Sequence, residues 1–483
     1  MSTPAVAVPG APGTLAPPLA PRTRGRRRTA PVWLVLLAVS LPMFMATLDN
    51  LVMTSALPVI RGDLAASVND LAWFLNAYTL GFATFMLPAA TLGDRWGRRR
   101  VMLAGLTLFT VASIASALST SPGALIAARA VQGLGAAAVM PLSLTLLAAA
   151  VPTAMRPLAI GIWGGVSGLG VALGPVVGGA VVEGVSWQAI FWLNVPVALV
   201  AAPLLFGTVT ESFGRAQRLD LRGTLLVGGA VFAGIWGIVH GNDDGWTSVR
   251  VLVPLLLAAV LVPTYVWHAR SASRRDFAVL PLRLFSSRGF TVANVIGLSF
   301  TVGMFGAVFL LAQNLQIVQG YSPFEAGLRT LPWTAAPMVV APVAGILAPR
   351  TGLRALLVSG LLLQTASLVW LAVVTEAGSG YGSFVPALVM AGVGMGLTFA
   401  PSATAVLDGL PDGDFGTASS ANSTIREFGV ALGVAGLTAV FLGHGGQLTP
   451  TGYAGAIGPA LLVGAGTVAV ATVAAFFAPG RAR

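Results

Sequence analysis

Long apolar runs separated by short polar stretches recur along the chain from Val32 to residue 478. The spans they predict are 32–60, 70–92, 100–119, 123–150, 157–183, 187–208, 220–240, 248–268, 289–317, 323–348, 353–375, 381–407, 415–443 and 453–478. Each has room for the roughly 20 apolar residues with which a helix crosses a bilayer. Strands of a membrane barrel would alternate apolar and polar residues over about 10 positions, and these runs do not alternate. Helices and closed barrels are the only spanning structures that satisfy the backbone in lipid. The pattern predicts an all-α polytopic membrane protein with fourteen transmembrane helices.

Composition narrows the class. Apolar residues make up 56% of the 483 and charged ones only 9%, against about 25% charged in a soluble domain. There is no Cys, and all 27 basic residues are Arg. Without Lys there is no Walker A loop and no Schiff base, which excludes an ATP-driven pump with its own nucleotide domain and a retinal protein. Residues 1–30, rich in Pro, Ala and Gly and ending in Arg22, Arg24, Arg26, Arg27 and Arg28, read as a disordered cytoplasmic tail. The apolar run behind them is too long for a signal peptide.

With the N-terminus in the cytoplasm, 22 of the 27 Arg fall on the cytoplasmic side, among them Arg95, Arg98, Arg99, Arg100, Arg350 and Arg354. Arg61, Arg250 and Arg329 fall outside, while Arg129 and Arg426 lie within or at the edge of spans. The positive-inside rule thus supports fourteen spans in the cell membrane with both termini cytoplasmic. It also explains the net charge of +11 as topological anchors, so no nucleic acid or nucleotide partner is expected.

An internal repeat appears at an offset of 259 residues. Gly133 and Gly135 map onto Gly392 and Gly394, Pro152 onto Pro411, and Gly170–Gly174 onto Gly429–Gly433, each reading GVALG. The implied organisation is the tail (1–30), a six-helix half (31–210), two inserted helices with their cytoplasmic loops (211–285) and a second six-helix half (286–483). Such parallel repeats are typical of secondary transporters, which place substrate between the halves.

Asp49 lies deep in the first span, about 4–5 Å beyond its midpoint at 1.5 Å per residue. An intramembrane carboxylate is by default functional; burial favours its neutral form and a nearby cation its charged form, so it can load and release a proton. The alternative is a structural hydrogen bond between helices. By the same arithmetic Arg129 lies about 12 Å outside the midpoint of span 4, followed by Gln132, Gly133 and Gly135. It either interacts with an acid in one conformation or snorkels to the outer headgroups. Span 5 carries Gly170, Gly174, Pro175, Gly178 and Gly179, small residues that let helices approach closely around a point that can bend. His240, His268 and His444 are too scattered for a metal site, and Asp408, Asp412 and Asp414 read as a solvated loop. No metal or cofactor is expected.

Several motifs resemble the major facilitator superfamily, and within it the fourteen-span drug:proton antiporters. Gly93-Asp94-Arg95-Trp96-Gly97-Arg98-Arg99-Arg100 looks like the superfamily's loop signature between spans 2 and 3. Leu48-Asp49-Asn50 through Pro58 continues the likeness, and Arg129-Ala130-Val131-Gln132-Gly133 is similar to the proton-coupling motif. Gly170 through Gly179 resembles the antiporter signature. Tyr321-Ser322-Pro323 with Leu331-Pro332, and Arg426 with Gly429 and Gly433, resemble the fourteen-span family. Where that family usually has Arg after the Trp opening span 6, this chain has Gln188 after Trp187, and Ala90 replaces the Gly that usually opens the loop signature.

The resemblance implies alternating access, with proton import driving export of small lipophilic substrates. Asp49 and Arg129 then couple the proton, Gly93, Asp94, Arg95, Gly97 and Arg98 form a conformational switch, and the span-5 glycines a hinge. Asp49 is expected to hold a proton or help bind substrate, not both at once. Reading Glu325 and Glu376 at outer edges and Asp408 near the inner one as the acids of spans 9–14 leaves no carboxylate there at mid-depth. That predicts neutral or singly charged substrates over dications. Asn76, Tyr78, Phe82, Gln313, Gln316, Trp333, Met395 and Phe399 are the candidate pocket, offering aromatic, soft and amide contacts. An importing facilitator or symporter, or a non-transporting receptor, remains the alternative.

Overall fold

A computed structural model describes residues 31–152, 155–213, 220–273, 278–375, 379–410 and 415–480. The tail 1–30, with Arg215, Arg218, Arg274, Arg275, Glu376, Pro411, Asp412, Asp414, Arg481 and Arg483, lies outside the described residues.

Among the described residues every regular element is helical. The chain runs through α1 (Val32–Leu64), α2 (Val68–Trp96), α3 (Arg98–Ala117), α4 (Pro122–Ala150), α5 (Arg156–Gly184), α6 (Ala189–Trp192) and α7 (Asn194–Thr208). It continues through α8 (Leu221–Val239), α9 (Gly241–Asp244), α10 (Val249–Ser273), α11 (Arg288–Ile317) and α12 (Pro323–Thr334). The last are α13 (Ala336–Thr351), α14 (Leu353–Val374), α15 (Val385–Leu407), α16 (Phe415–Gly443) and α17 (Pro450–Ala475).

Among the described residues twelve stretches are long and apolar enough to cross a membrane, with α6–α7 and α12–α13 each serving as one. A thirteenth, α2, bends by 47° between Met86 and Pro88, where proline removes a backbone hydrogen bond and crowds the preceding turn. At the remaining expected place stands α5, whose described apolar stretch, Gly168–Gly184, is shorter.

The helix starts follow from local chemistry. Ser67 with Asp70 and Ser322 with Glu325 form capping boxes at α2 and α12. The side chains of Ser121, Asp220, Ser287 and Thr449 cap α4, α8, α11 and α17. Each satisfies a backbone N–H that the first helical turn leaves open.

The repeated glycines make equivalent contacts in the two halves of the sequence. Gly133 of α4 faces the backbone of Tyr78 on α2, and its counterpart Gly392 of α15 faces the backbone of Pro332 and Trp333 on α12. Gly135 packs on Gly105 and Phe109 of α3, and Gly394 on Gly360 and Gln364 of α14. Gly174 of α5 touches Leu51 of α1, as Gly433 of α16 touches Val302 of α11. At each position a Cβ would collide with the neighbouring helix, so the glycines set how closely the helices approach. Helices α8 and α10 pack on each other, with α8 also against α2 and α16. On the outside of α10, Leu256, Val260 and Val262 are exposed, as a lipid-facing surface requires.

The helix ends that carry the 93–98 loop form one face of the bundle, here the inner face. In the outer half the two groups of helices are joined. Gln316 Nε2 of α11 donates to Ser55 O of α1 at 3.1 Å, and Arg61 Nη1 to Leu448 O at 3.4 Å. Phe324 N of α12 donates to the Glu183 carboxylate of α5 at 3.2 Å, and Thr334 Oγ1 to Ala172 O at 3.4 Å. Between α5 and α12–α13 they part towards the inner face, while α2 and α16 stay in contact. The α5 stripe that packs Ala172, Pro175 and Gly179 on α12 continues at helical spacing to Gly168 and Gly165, where a Cβ would meet nothing within 4 Å. On the facing stripe Gly327, Thr330 and Thr334 are buried, whereas Met338, Pro342 and Gly345 are exposed.

Candidate functional site

Asp49 lies at the centre of α1, 5% exposed. Arg129 of α4, fully buried, donates from Nη1 to Asp49 Oδ2 at 2.5 Å and from the same nitrogen to Gln132 Oε1 at 2.8 Å. Asp49 Oδ1 accepts from Gln132 Nε2 at 2.9 Å and from Asn194 Nδ2 of α7 at 2.7 Å. Asn194 is itself shared with Ser113 Oγ of α3 at 2.9 Å. All three partners of Asp49 are donors, the surroundings that an ionised, acceptor-only carboxylate needs. Charge-assisted bonds and mutual neutralisation are what allow two charges to sit in a dry interior.

The depths read from the sequence differ from this arrangement. Centring spans 1 and 4 on a common plane separates Asp49 from Arg129 by several ångströms, yet the two touch. The reason is that α1, with 33 residues, is about 50 Å long at 1.5 Å per residue. It exceeds the roughly 30 Å apolar core of a bilayer, so span midpoints do not mark a common depth. With Arg129 paired inside the bundle, snorkelling is not what this conformation shows.

Arg129 also ties α4 to α2. Its Nε donates to Phe74 O at 3.2 Å, and its guanidinium carbon lies 4.4 Å above the Tyr78 ring. Tyr78 in turn donates from its hydroxyl to Ala46 O of α1 at 3.3 Å and stacks on Phe82, with ring centroids 6.1 Å apart.

The eight candidate pocket residues do not form one site. Gln316 and Trp333 line a narrow crevice in the outer half, with Thr54, Ser55, Gly327 and Thr330. Tyr78 and Phe82 belong to the surroundings of Arg129. Phe399 lies under Arg426, whose guanidinium carbon is 4.3 Å from the ring centroid, and packs edge-on to Phe300. Asn76 is fully buried with neither amide atom hydrogen-bonded, and Gln313 Oε1 is likewise unpaired. Met395 belongs to the apolar core.

The 93–98 loop makes a tight corner between α2 and α3 at the inner face. Gly97 adopts φ +109°, in the region that only glycine enters freely, and a Cβ there would strike the Glu211 carboxylate. Asp94 Oδ1 accepts from Arg98 Nε at 2.7 Å, while Arg95 is exposed. A Cβ on Gly93 would meet Leu142 of α4. Glu211, beyond α7, accepts from the Arg99 and Arg100 backbone N–H groups at 2.8 and 3.2 Å, a carboxylate at the positive end of α3. Arg99 Nη1 returns to Phe206 O and Val209 O, both at 3.0 Å.

On α5, Gly170, Gly174 and Gly178 lie against Phe44, Leu51 and Val52 of α1. Gly179 lies against Pro323 and Phe324 of α12, and Pro175 O accepts from Ser55 Oγ at 3.0 Å. The helix runs through Pro175 without a break. Where Gln188 replaces the usual Arg, Asp63 takes neutral donors instead: Trp187 Nε1 at 2.6 Å and Gln188 Nε2 at 3.5 Å. Of the histidines, His268 Nε2 contacts Asp220 Oδ1 at 2.7 Å at the α8–α10 junction.

One sequence expectation needs correction. The C-terminal spans do carry an acid near mid-depth: Glu427, close to the centre of α16 and only partly buried. It follows directly on Arg426, so its place inside the apolar run 415–443 was the available signal. Asn194 and Glu211 have no such signal, since a lone amide and a lone acid near the ends of span 6 carry no pattern of their own.

The profile described as Major Facilitator Superfamily matches residues 39–434. The chain is 37% identical over 409 residues to the multidrug resistance protein Stp of Mycobacterium tuberculosis (strain CDC 1551 / Oshkosh), covering 84% of this chain and 75% of that one. It is 35% identical over 426 residues to the tetracenomycin C resistance and export protein of Streptomyces glaucescens, covering 87% and 78%. Against the methylenomycin A resistance protein of Streptomyces coelicolor it is 33% identical, covering 86% and 87%. Among solved structures, a bacterial homologue of the human lysosomal transporter Spinster, inward-facing and unoccupied, superposes with a TM-score of 0.65. It has 15% identity and covers 92% of this chain and 96% of that one; a likeness at that identity speaks for the fold alone. With a buried carboxylate–arginine pair in one half and glycine contacts repeated in the other, this multi-pass membrane protein belongs to the major facilitator superfamily.

Proposed function

We propose that the chain is a proton-coupled antiporter that exports lipophilic, neutral or monocationic drugs or antibiotics across the cytoplasmic membrane by alternating access. The observation that carries this reading is the Asp49–Arg129 pair, sealed at the centre of α1. The relatives' names, which refer to multidrug resistance and antibiotic resistance and export, point to the same class of cargo.

A proton arriving at Asp49 removes the negative charge that holds Arg129. The guanidinium is then left with Gln132, Phe74 O and the Tyr78 ring, and the α1–α4–α2 contact loosens. α2 borders α16 of the other half, so the loosening acts where the halves meet. The gap between α5 and α13 lies on the side rich in Arg95, Arg98, Arg99, Arg100, Arg350 and Arg354. The positive-inside rule favours that side as the cytoplasm, and with it a cytoplasmic place for both termini.

The proton gradient is the energy source, with no cofactor. An entering proton gains about 2.3 kcal/mol per 100 mV and about 1.4 kcal/mol per pH unit. Together, about 3.7 kcal/mol sustains an outward gradient of several hundred-fold for a neutral substrate. A monocation exchanged for one proton moves no net charge, so only the pH difference drives it.

The test is flux in proteoliposomes with an imposed pH gradient. Antiport moves substrate against the proton; movement with the proton would make the chain a symporter, and flux indifferent to the gradient a facilitator. Either result defeats the proposal.

A further inference from the structure

Glu427 has no role in the cycle described above. It lies close to the centre of α16 and is only partly buried. Among the described residues it has neither a hydrogen bond nor an ion pair. Its neighbour Arg426 lies over Phe399 of α15 and alongside Gly297 of α11. Glu427 itself belongs to the stripe of α16 that faces α2. Three residues before it, Thr424 meets Met86 Sδ at 3.9 Å; four residues after it, Ala431 packs with Trp73, Ala77 and Leu80. Met86 in turn shares a stripe of α2, at helical spacing, with the stacked rings of Tyr78 and Phe82.

The two intramembrane carboxylates are therefore placed for different work. Asp49 is enclosed by three donors and offers no surface to a ligand. Glu427 stands on the other half at the seam with α2, on the stripe between Thr424, which meets Met86, and Ala431, which packs with Trp73, and among the described residues it forms no ion pair with a protein cation. A negative charge next to aromatic faces is the combination that binds a lipophilic cation, through charge and through the rings' negative faces.

We propose that Glu427 is the carboxylate that binds lipophilic monocations, which makes it a determinant of cargo charge. The inference deepens the antiporter reading and rests on it for the site's use in transport, but not for binding. A single free carboxylate suits one positive charge, and neutral cargo has no need of it.

The probes are tetraphenylphosphonium, a permanent monocation, and chloramphenicol, a neutral lipophile, with equilibrium binding measured on the purified full chain without any gradient. Glu427→Gln is expected to weaken tetraphenylphosphonium binding about tenfold or more, the scale of one charged contact, and to leave chloramphenicol binding within about twofold. Glu427→Asp restores cation binding in part. In the unaltered chain, tetraphenylphosphonium should protect Glu427 from carbodiimide labelling, read by mass spectrometry, a measurement that needs no variant to fold. Unchanged cation binding by Glu427→Gln, equal loss of both probes, or labelling that the cation does not suppress would each overturn the proposal. Failure of the antiporter reading shows separately, as flux of the unaltered chain in proteoliposomes that runs with an imposed proton gradient or ignores it, whatever Glu427 binds.

Discussion

Arg129 Nη1 of α4 lies 2.5 Å from Asp49 Oδ2 of α1, and both side chains are almost wholly enclosed by neighbouring helices. Because each charge cancels the other where no water can, the pair is sensitive to any event that neutralises one member. Protonation is such an event, and the consequences can be measured at several points.

Asp49→Asn keeps the shape of the side chain and removes its charge and its capacity to exchange a proton. Expression and membrane insertion are expected to persist while drug efflux driven by an imposed pH gradient is lost. Everted vesicles report both; full efflux by this variant would falsify the coupling role.

Arg129→Ala leaves the Asp49 charge buried without its cation. Breaking one side of a buried pair costs about 3–5 kcal/mol, so the midpoint of thermal unfolding in detergent should fall markedly. Combining it with Asp49→Asn should recover most of that stability without recovering transport. If the double variant is no more stable than Arg129→Ala alone, the two charges are not the source of the penalty.

Gly97→Ala forces a side chain into a φ of +109° and towards the Glu211 carboxylate. The backbone term alone is about 1–3 kcal/mol, and transport should drop with it because the α2–α3 corner and Glu211 move apart. Glu211→Gln, which keeps the acceptor oxygen but not its charge, is expected to be milder. Relative transport rates at equal protein level rank the two.

The outer seam closes on glycine. A Cβ at Gly327 would run into Pro175 O, so Gly327→Val is expected to wedge α12 from α5 and shift the population away from the conformation open to the inner face. The chain has no cysteine, so introduced pairs report without background. Ala172→Cys with Thr334→Cys should cross-link in the present conformation, and Gly168→Cys with Met338→Cys only when the inner face closes. Gly327→Val should reduce the first yield and raise the second; unchanged yields would place the moving contact elsewhere.

The apolar runs, the Arg bias and the repeated glycines were all legible in the chain because each is local or periodic. A helix in lipid must satisfy its own backbone, so the span positions follow from hydropathy with little help from tertiary contacts. The bend at Pro88 and the positive φ of Gly97 likewise arise from residues that allow few backbone alternatives. Asp49 stood out as a lone acid in an apolar run, and Arg129 as a lone cation.

That these two meet was not legible, because their contact depends on how far α1 overruns the bilayer and how α4 crosses it. Asn194, which completes the carboxylate's shell, sits 145 positions from Asp49, and nothing in its neighbours marks it. Sequence position also could not divide the candidate pocket residues into a crevice at Gln316 and Trp333, an arginine platform at Tyr78 and Phe82, and buried filler at Met395. Hydrophobicity specifies which segments enter the membrane; which polar side chains find each other there is decided by packing, since inside the bundle each polar group must take its partner from another helix.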